Sequence, residues 1–230
     1  MSGDLYASLA GARAAWADLD RLGNNLANAG TTGFKADRIV FQVVGPGPSP
    51  LAQGYAKATP AAPDARDGTP VPDGVATHLA LQGEGWFALR DGPDLLLTRD
   101  GRFQLDATGT LVDGGGRPLL GLTGPIRVPE GETVRIAQDG RVYGSESGEL
   151  DQLDIVTAPV RALGGNLYAP DGPVSSAGAR VLQGALEGSN VDPLAAMIDL
   201  VQASRYVEAF QKAMQASDEL TSRLNQLGGR

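Results

Sequence analysis

The sequence predicts an α+β protein in which long N- and C-terminal helices pair as a coiled-coil-like assembly domain, with a central all-β antiparallel domain between them. Three observations predict it. Near the N-terminus, Leu5, Leu9, Ala12, Trp16, Leu19 and Leu26 follow alternating steps of four and three until Gly23 takes the expected slot. Toward the C-terminus, Leu200, Ala203, Val207, Phe210, Met214 and Leu224 belong to a second such stripe. Between the two, short apolar runs alternate with turn-forming dipeptides. Heptad spacing argues helix, and short bounded runs argue strands.

The first helix is expected to run to Asn28 or Gly30, two residues that accept the left-handed conformation at a helix end. Ala7, Ala10, Ala14, Ala15 and Ala17 spread small apolar groups around its other faces. A helix facing water on one side normally carries more charge than that, so packing on several sides is expected. The second helix starts at Pro193, with Asp192 or Asn190 as its cap. Leu194, Met197 and Val201 widen its stripe, and a length of about 35 residues, against a mean near 12, suggests an assembly element.

Residues 45–74 hold seven prolines and several glycines, which predicts an extended connection without regular elements. From His78 to Gly188, runs such as "HLALQGEGWFALR" and "TVRIAQDGRVYG" predict antiparallel strands, with Asp100-Gly101 and Asp139-Gly140 as type I′ hairpin turns. The expected domains are therefore 1–38 plus 191–230 (helical), 39–77 (Pro/Gly-rich linker) and 78–190 (all-β).

Composition narrows the chemistry. The 230 residues contain no cysteine, one histidine and a formal charge of −8. Residues 1–38 balance to zero and 191–230 to −1, so the middle carries −7. No nucleic acid is expected as a partner, because phosphate contacts need clustered lysine and arginine. No stretch approaches the roughly 18 apolar residues of a membrane span, and the N-terminus lacks the pattern of a cleaved signal. Neither membrane insertion nor a cofactor is expected, and no catalytic or metal site. His78 has no nucleophile elbow to serve, since "GSESG" places Glu146 where the serine belongs. "GPGPSP" and "GEGWFA" fail the dinucleotide-loop spacing. Asp100, Asp106, Asp113 and Asp139 read as turn residues. A pair of acids for glycoside cleavage and a sugar-stacking role for Trp86-Phe87 stay open as an alternative, a cell-wall carbohydrate-binding module or enzyme.

The stretch "NNLANAGTTGFKADR" resembles the signature that ends the N-terminal helix in the rod and hook axial proteins of the bacterial flagellum. Its core here is Ala27, Asn28, Thr31, Gly33, Phe34 and Lys35. "LEGSNVDPLAAMIDLVQASRYVEAFQKA" is similar to the family's C-terminal signature, and "LALQGEGWFALRDG" with "LLLTRDGRFQLDATGTLVDGGGRPLLG" to its β-region. "LEGSNVDPLAAM" and "GPIRVPEG" resemble the branch forming the proximal rod, with the distal rod as the alternative.

The resemblance implies a structural, non-enzymatic subunit of the periplasmic basal body, exported by the flagellar type III apparatus without signal cleavage. It implies contacts with itself, with proximal and distal rod subunits, with the surrounding ring, and with the export apparatus during secretion. The expected assembly interface comprises the N-terminal stripe above, Asn25, Asn28, Thr31, Gly33, Phe34 and Lys35, then Ser189, Asn190, Val191, Met197, Leu200, Val207, Phe210, Met214 and Leu224. Within it, Asn24, Asn25 and Asn28 are expected to cap or bridge backbone groups, Gly33 to permit a turn, and Phe34 to fill an apolar pocket.

Overall fold

The computed structural model describes the backbone of residues 2–44, 55–60 and 63–228, and side chains over 11–40, 63–216 and at 219. The chain divides into two compact units, one of residues 1–27, 37–61 and 192–230, the other of 28–36 and 62–191.

The first unit holds helix α1 (Ser2–Ala27), helix α2 (Pro193–Gly228) and an antiparallel pair of strands, Ile39–Val44 and Tyr55–Pro60. Helix α1 packs on α2 and on the second strand. Its alanine content favours the helix, and among its described side chains Ala14, Leu22 and Asn25 are buried. Gly11 faces the Phe210 ring of α2, where a Cβ would stand at an ordinary contact distance of 3.4 Å. Helix α2 spans about 54 Å at 1.5 Å per residue. Its first turn is capped as expected, with Asp192 Oδ1 accepting from the N–H of Leu194 (2.9 Å) and Ala195 (3.2 Å).

Two expectations about the connection change. Residues 45–74 are not free of regular elements, because Tyr55–Pro60 and Pro70–Pro72 are strands. Each belongs to a two-stranded ladder, where a proline without an N–H is tolerated on the side that needs no donor. The left-handed residue after α1 is also neither Asn28 nor Gly30. The chain turns over 28–30 with Thr31 N–H donating to Asn28 O (3.0 Å), and the first positive φ is at Gly33.

The second unit is antiparallel β. A six-stranded sheet runs in the order Val160–Gly164, Leu167–Pro170, Asp94–Thr98, Trp86–Asp91, Ile155–Thr157, Ser175–Ser176. A three-stranded sheet orders Gly148–Gln152, Arg141–Gly144 and Val134–Ile136. Three pairs complete it: Arg180–Gln183 with Leu79–Gln82, Ala185–Glu187 with Pro70–Pro72, and Gln104–Leu105 with Leu111–Val112. The main core gathers Leu79, Phe87, Leu89, Phe103, Leu119 and Val142, with Phe87 and Phe103 edge to face at 5.2 Å. A smaller cluster gathers Trp86, Ala88, Leu97 and Tyr168.

The hairpin turns differ from expectation. A type I′ turn needs positive φ at both central residues, yet at Asp139-Gly140 only the glycine has it (84°). Asp100-Gly101 has neither and makes no hairpin. The chain there crosses so close to Leu79 that a Cβ on Gly101 would overlap the Leu79 carbonyl. Successive positive φ values occur instead at Gly165 (61°) and Asn166 (60°), between strands Val160–Gly164 and Leu167–Pro170.

Candidate functional site

The residues of the N-terminal signature and those just before α2 meet in the second unit. Gly33 N–H donates to Glu187 O (2.7 Å), and Asn190 N–H donates to Phe34 O (3.3 Å). Asn190 then uses its whole amide. Its Oδ1 accepts from Ala36 N–H (2.8 Å) while its Nδ2 donates to the carbonyls of Asp64 (2.9 Å) and Arg66 (3.1 Å). Ala36 O accepts from Asp64 N–H at 2.9 Å. Three separate stretches, 33–36, 64–68 and 187–190, are thus held together by backbone and amide bonds.

Buried charges lie under these bonds. Lys35 and Glu187 are each 1% exposed and Arg99 is 2% exposed. Lys35 Nζ reaches Glu187 Oε1 at 2.6 Å and donates to Arg66 O at 2.7 Å. Glu187 Oε1 also accepts from Gly68 N–H (2.8 Å), and its Oε2 accepts from Arg99 Nη1 (3.0 Å). Arg99 Nη2 donates to Gly83 O (2.6 Å), Arg99 Nε donates to Gly85 O, and Arg99 Nη1 reaches Asp67 Oδ1 at 3.5 Å. The Arg99 guanidinium also lies over the Trp86 ring, 5.7 Å from its centroid. Burial lowers the pKa of Lys35, and the Glu187 carboxylate opposes that shift. One carboxylate between two cations, with a second at the rim, satisfies the requirement that buried charge be paired and hydrogen-bonded.

Within the single chain, the joint residues expected from the sequence lie as follows. Gly33 has φ 67°, and a Cβ there would overlap the Arg99 carbonyl, so only glycine fits. Phe34 is buried. Thr31 Oγ1 donates to Asn28 Oδ1 (3.2 Å), and Ser189 Oγ accepts from Val191 N–H (3.2 Å). In the helical unit, Asn25 pairs with the Asp37 backbone in both directions, accepting its N–H (2.8 Å) and donating to its carbonyl (3.1 Å). Asn25 thus bridges to a residue twelve positions on. Asn24 is exposed.

Sequence reading missed Glu187, Arg99 and Asp67. The one signal was a charged residue at the end of an apolar run, in "LLLTR" and in "ALE".

The helical stripes divide. On α2, Val207 is buried and Leu200, Phe210 and Met214 are half-buried, whereas Met197 is 51% exposed. On α1, Ala12, Leu19 and Leu26 are half-buried and Trp16 is 48% exposed. The side chains of Leu5, Leu9 and Leu224 lie outside the described residues. A trough of 620 Å³ runs along the helix pair, lined by Gly11, Ala14, Ala15, Leu22, Ala203 and Tyr206 together with the polar and charged Asp18, Arg21, Asp199 and Gln202.

The residues weighed for other chemistry are otherwise engaged. Trp86 is buried against Tyr168, with ring centroids 4.5 Å apart, so it is not a sugar platform. Asp106 Oδ1 accepts from Thr108 and Thr110 N–H, and Asp113 Oδ1 from Gly115 and Arg117 N–H. Asp100 and Asp139 likewise accept from the N–H two residues on. His78 Nδ1 bonds Asp73 Oδ2 at 2.5 Å, which lowers the Asp73 pKa. Among the described residues no group of acids and histidine is placed to hold a metal ion, and no helix is long and apolar enough to cross a membrane.

Residues 182–227 match the family model of the flagellar basal body rod FlgEFG protein C-terminal region, and residues 80–144 match that of the flagellar hook protein FlgE/F/G D1 domain. The flagellar basal-body rod protein FlgF of Escherichia coli K12 is 35% identical over 89% of each chain. FlgF of Rhizobium meliloti is 29% identical over 100% of this chain and 99% of its own length. The rod protein FlgG of Bacillus subtilis is 29% identical over 96% and 97% respectively.

Proposed function

The chain belongs to the flagellar basal-body rod family as a FlgF-like proximal rod protein, and from this premise we propose how it builds a tube. Membership implies a structural subunit that assembles with other rod subunits in the periplasmic basal body. In our reading the helical unit of α1 and α2 forms the wall of a rod that transmits torque around an open export channel. Neighbours are further copies of this chain and the adjoining proximal and distal rod subunits, with the β unit directed at other subunits or the surrounding ring. Export by the flagellar type III apparatus completes the reading.

One observation carries it. Leu194, Met197, Ile198 and Val201 form an i, i+3, i+4, i+7 row on α2 and are 69%, 51%, 51% and 52% exposed. Another apolar row of the same helix already faces α1. At 100° per residue the exposed row lies on the side of α2 away from the trough. A helix with two apolar rows needs two coverings, and within this unit α1 supplies one. An apolar row on one side and a trough of mixed small, polar and charged residues on the other are different surfaces, and a contact between them would be heterologous, propagating into a helical filament when its rotation does not close.

Changing Leu194, Met197 and Val201 to Asp together tests this. Motility and incorporation into purified basal bodies should be lost while the β unit stays folded. Normal incorporation would overturn the packing assignment. Val207, which is buried, and Phe210, whose ring stands against Gly11 of α1, test helix pairing within the chain instead.

A further inference from the structure

We propose that the Lys35–Glu187–Arg99 cluster is a chain-completion latch, which leaves the N-terminal signature unfixed until residues 187–190 arrive, after the rest of the β core. The order follows from who bonds whom. Gly33 N–H has Glu187 O as its acceptor, Ala36 N–H has Asn190 Oδ1, and Phe34 O accepts from Asn190 N–H. Lys35 has the Glu187 carboxylate as its counterion, 152 residues away in sequence. Without that carboxylate, burying Lys35 beside Arg99 would place two cations together out of water, with Asp67 at the rim as their remaining counter-charge, and desolvation opposes this strongly.

Among the described residues, the hydrogen bonds that 32–36 make to the chain before Glu187 are to the Arg66 carbonyl, the Asp64 N–H, the Asn166 amide at Thr32 O and, within the turn, Thr31 O, while Gly33 packs on the Arg99 backbone. These are neutral bonds that do not compensate a buried ammonium. Glu187 also ends the strand Ala185–Glu187, whose partner Pro70–Pro72 is exposed throughout. The main core does not include Glu187; its last member along the chain is Val181. The core can therefore form first, with the latch closing behind it. For a subunit exported as an unfolded chain, which rests on the proposed function above, the signature becomes fixed only after nearly the whole chain has emerged.

Pulse-labelled hydrogen exchange during refolding of the full chain tests the order, and needs no rod. The amides of Leu119 and Ile126, bonded within the core, should become protected first, and those of Gly33, Ala36 and Gly68 together afterwards. Protection of Gly33 and Ala36 with or before the core would overturn the latch. At equilibrium, Glu187→Gln should lower protection at Gly33, Ala36 and Gly68 by roughly a hundredfold or more, as expected when one member of a buried ion pair is removed. Leu119 and Ile126 should lose protection as well, because global unfolding also breaks the pair, whereas Val142→Ala, within the core, should lower protection at Leu119 and Ile126 and leave Gly33, Ala36 and Gly68 unchanged. Equal loss at all five amides in Val142→Ala would show that the cluster is not a separable device. Asn190→Ala, which strands no charge, should loosen Ala36 selectively, and full retention there would also count against it. Rod incorporation of the wild-type chain is scored separately, so failure of the latch and failure of the rod reading give different results.

Discussion

The same substitution, Gly→Ala, is expected to have opposite signs at two positions of this chain. At Gly33 the backbone is left-handed with φ 67°, a conformation that costs a residue with a Cβ about 1–2 kcal/mol. The added Cβ would also overlap the Arg99 carbonyl. To escape it the segment must shift and stretch the 2.7 Å bond from Gly33 N–H to Glu187 O, for about another 1 kcal/mol. Gly33→Ala should therefore destabilise the β unit by about 2–3 kcal/mol. At Gly23, inside α1, a Cβ meets nothing within 4 Å, and alanine should stabilise the helical unit by up to about 1 kcal/mol. The two tryptophans make the assay specific, since Trp16 belongs to the helical unit and Trp86 to the β unit. Urea unfolding followed by fluorescence in Trp16→Phe and Trp86→Phe backgrounds reads each unit alone. A neutral or stabilising Gly33→Ala, or a destabilising Gly23→Ala, would refute the assignment.

In the buried cluster, Lys35→Met leaves Glu187 paired with Arg99, whereas Glu187→Gln strands two cations. The urea midpoint should fall further for Glu187→Gln, which is expected to cost about 3–5 kcal/mol; the reverse order would be wrong for this geometry. Burial lowers the pKa of Lys35 below the ordinary 10.5, so between the two values the unfolded chain binds more protons than the folded one. Its contribution to stability therefore rises as pH climbs toward the ordinary value, and Lys35→Met should remove that rise. Asp37 is shifted upward by burial, opposed by Arg21, so its contribution is present at low pH and lost as pH rises through the folded value. Asp37→Asn should narrow the gain in helical-unit stability between neutral and mildly acidic pH.

Much of the fold was legible because its signals are local. Heptad spacing marked both helices, Pro193 and Asp192 marked the start of α2, and the turn aspartates were read as such. The turn types were not, because Asp-Gly marks a turn without saying which residue is left-handed, and the paired left-handed residues Gly165 and Asn166 went unflagged. The strands Tyr55–Pro60 and Pro70–Pro72 were hidden because proline is excluded from central strands but not from two-stranded ladders. Lys35 came into view through its signature. Its partners did not, since no periodicity links residue 35 to residue 187. The stripes showed which helical residues are apolar, but not which row of α2 faces α1 and which is left open.

The most direct test of the rod reading uses the absence of cysteine from the chain. Met197→Cys places a single thiol in the exposed row of α2, and cross-linking in intact motile cells followed by identification of the adducts reports what covers it. Copies of this chain or other rod subunits joined at α1 or α2 are the expected result. No adducts in motile cells, or adducts only to proteins outside the rod, would contradict assembly through this face.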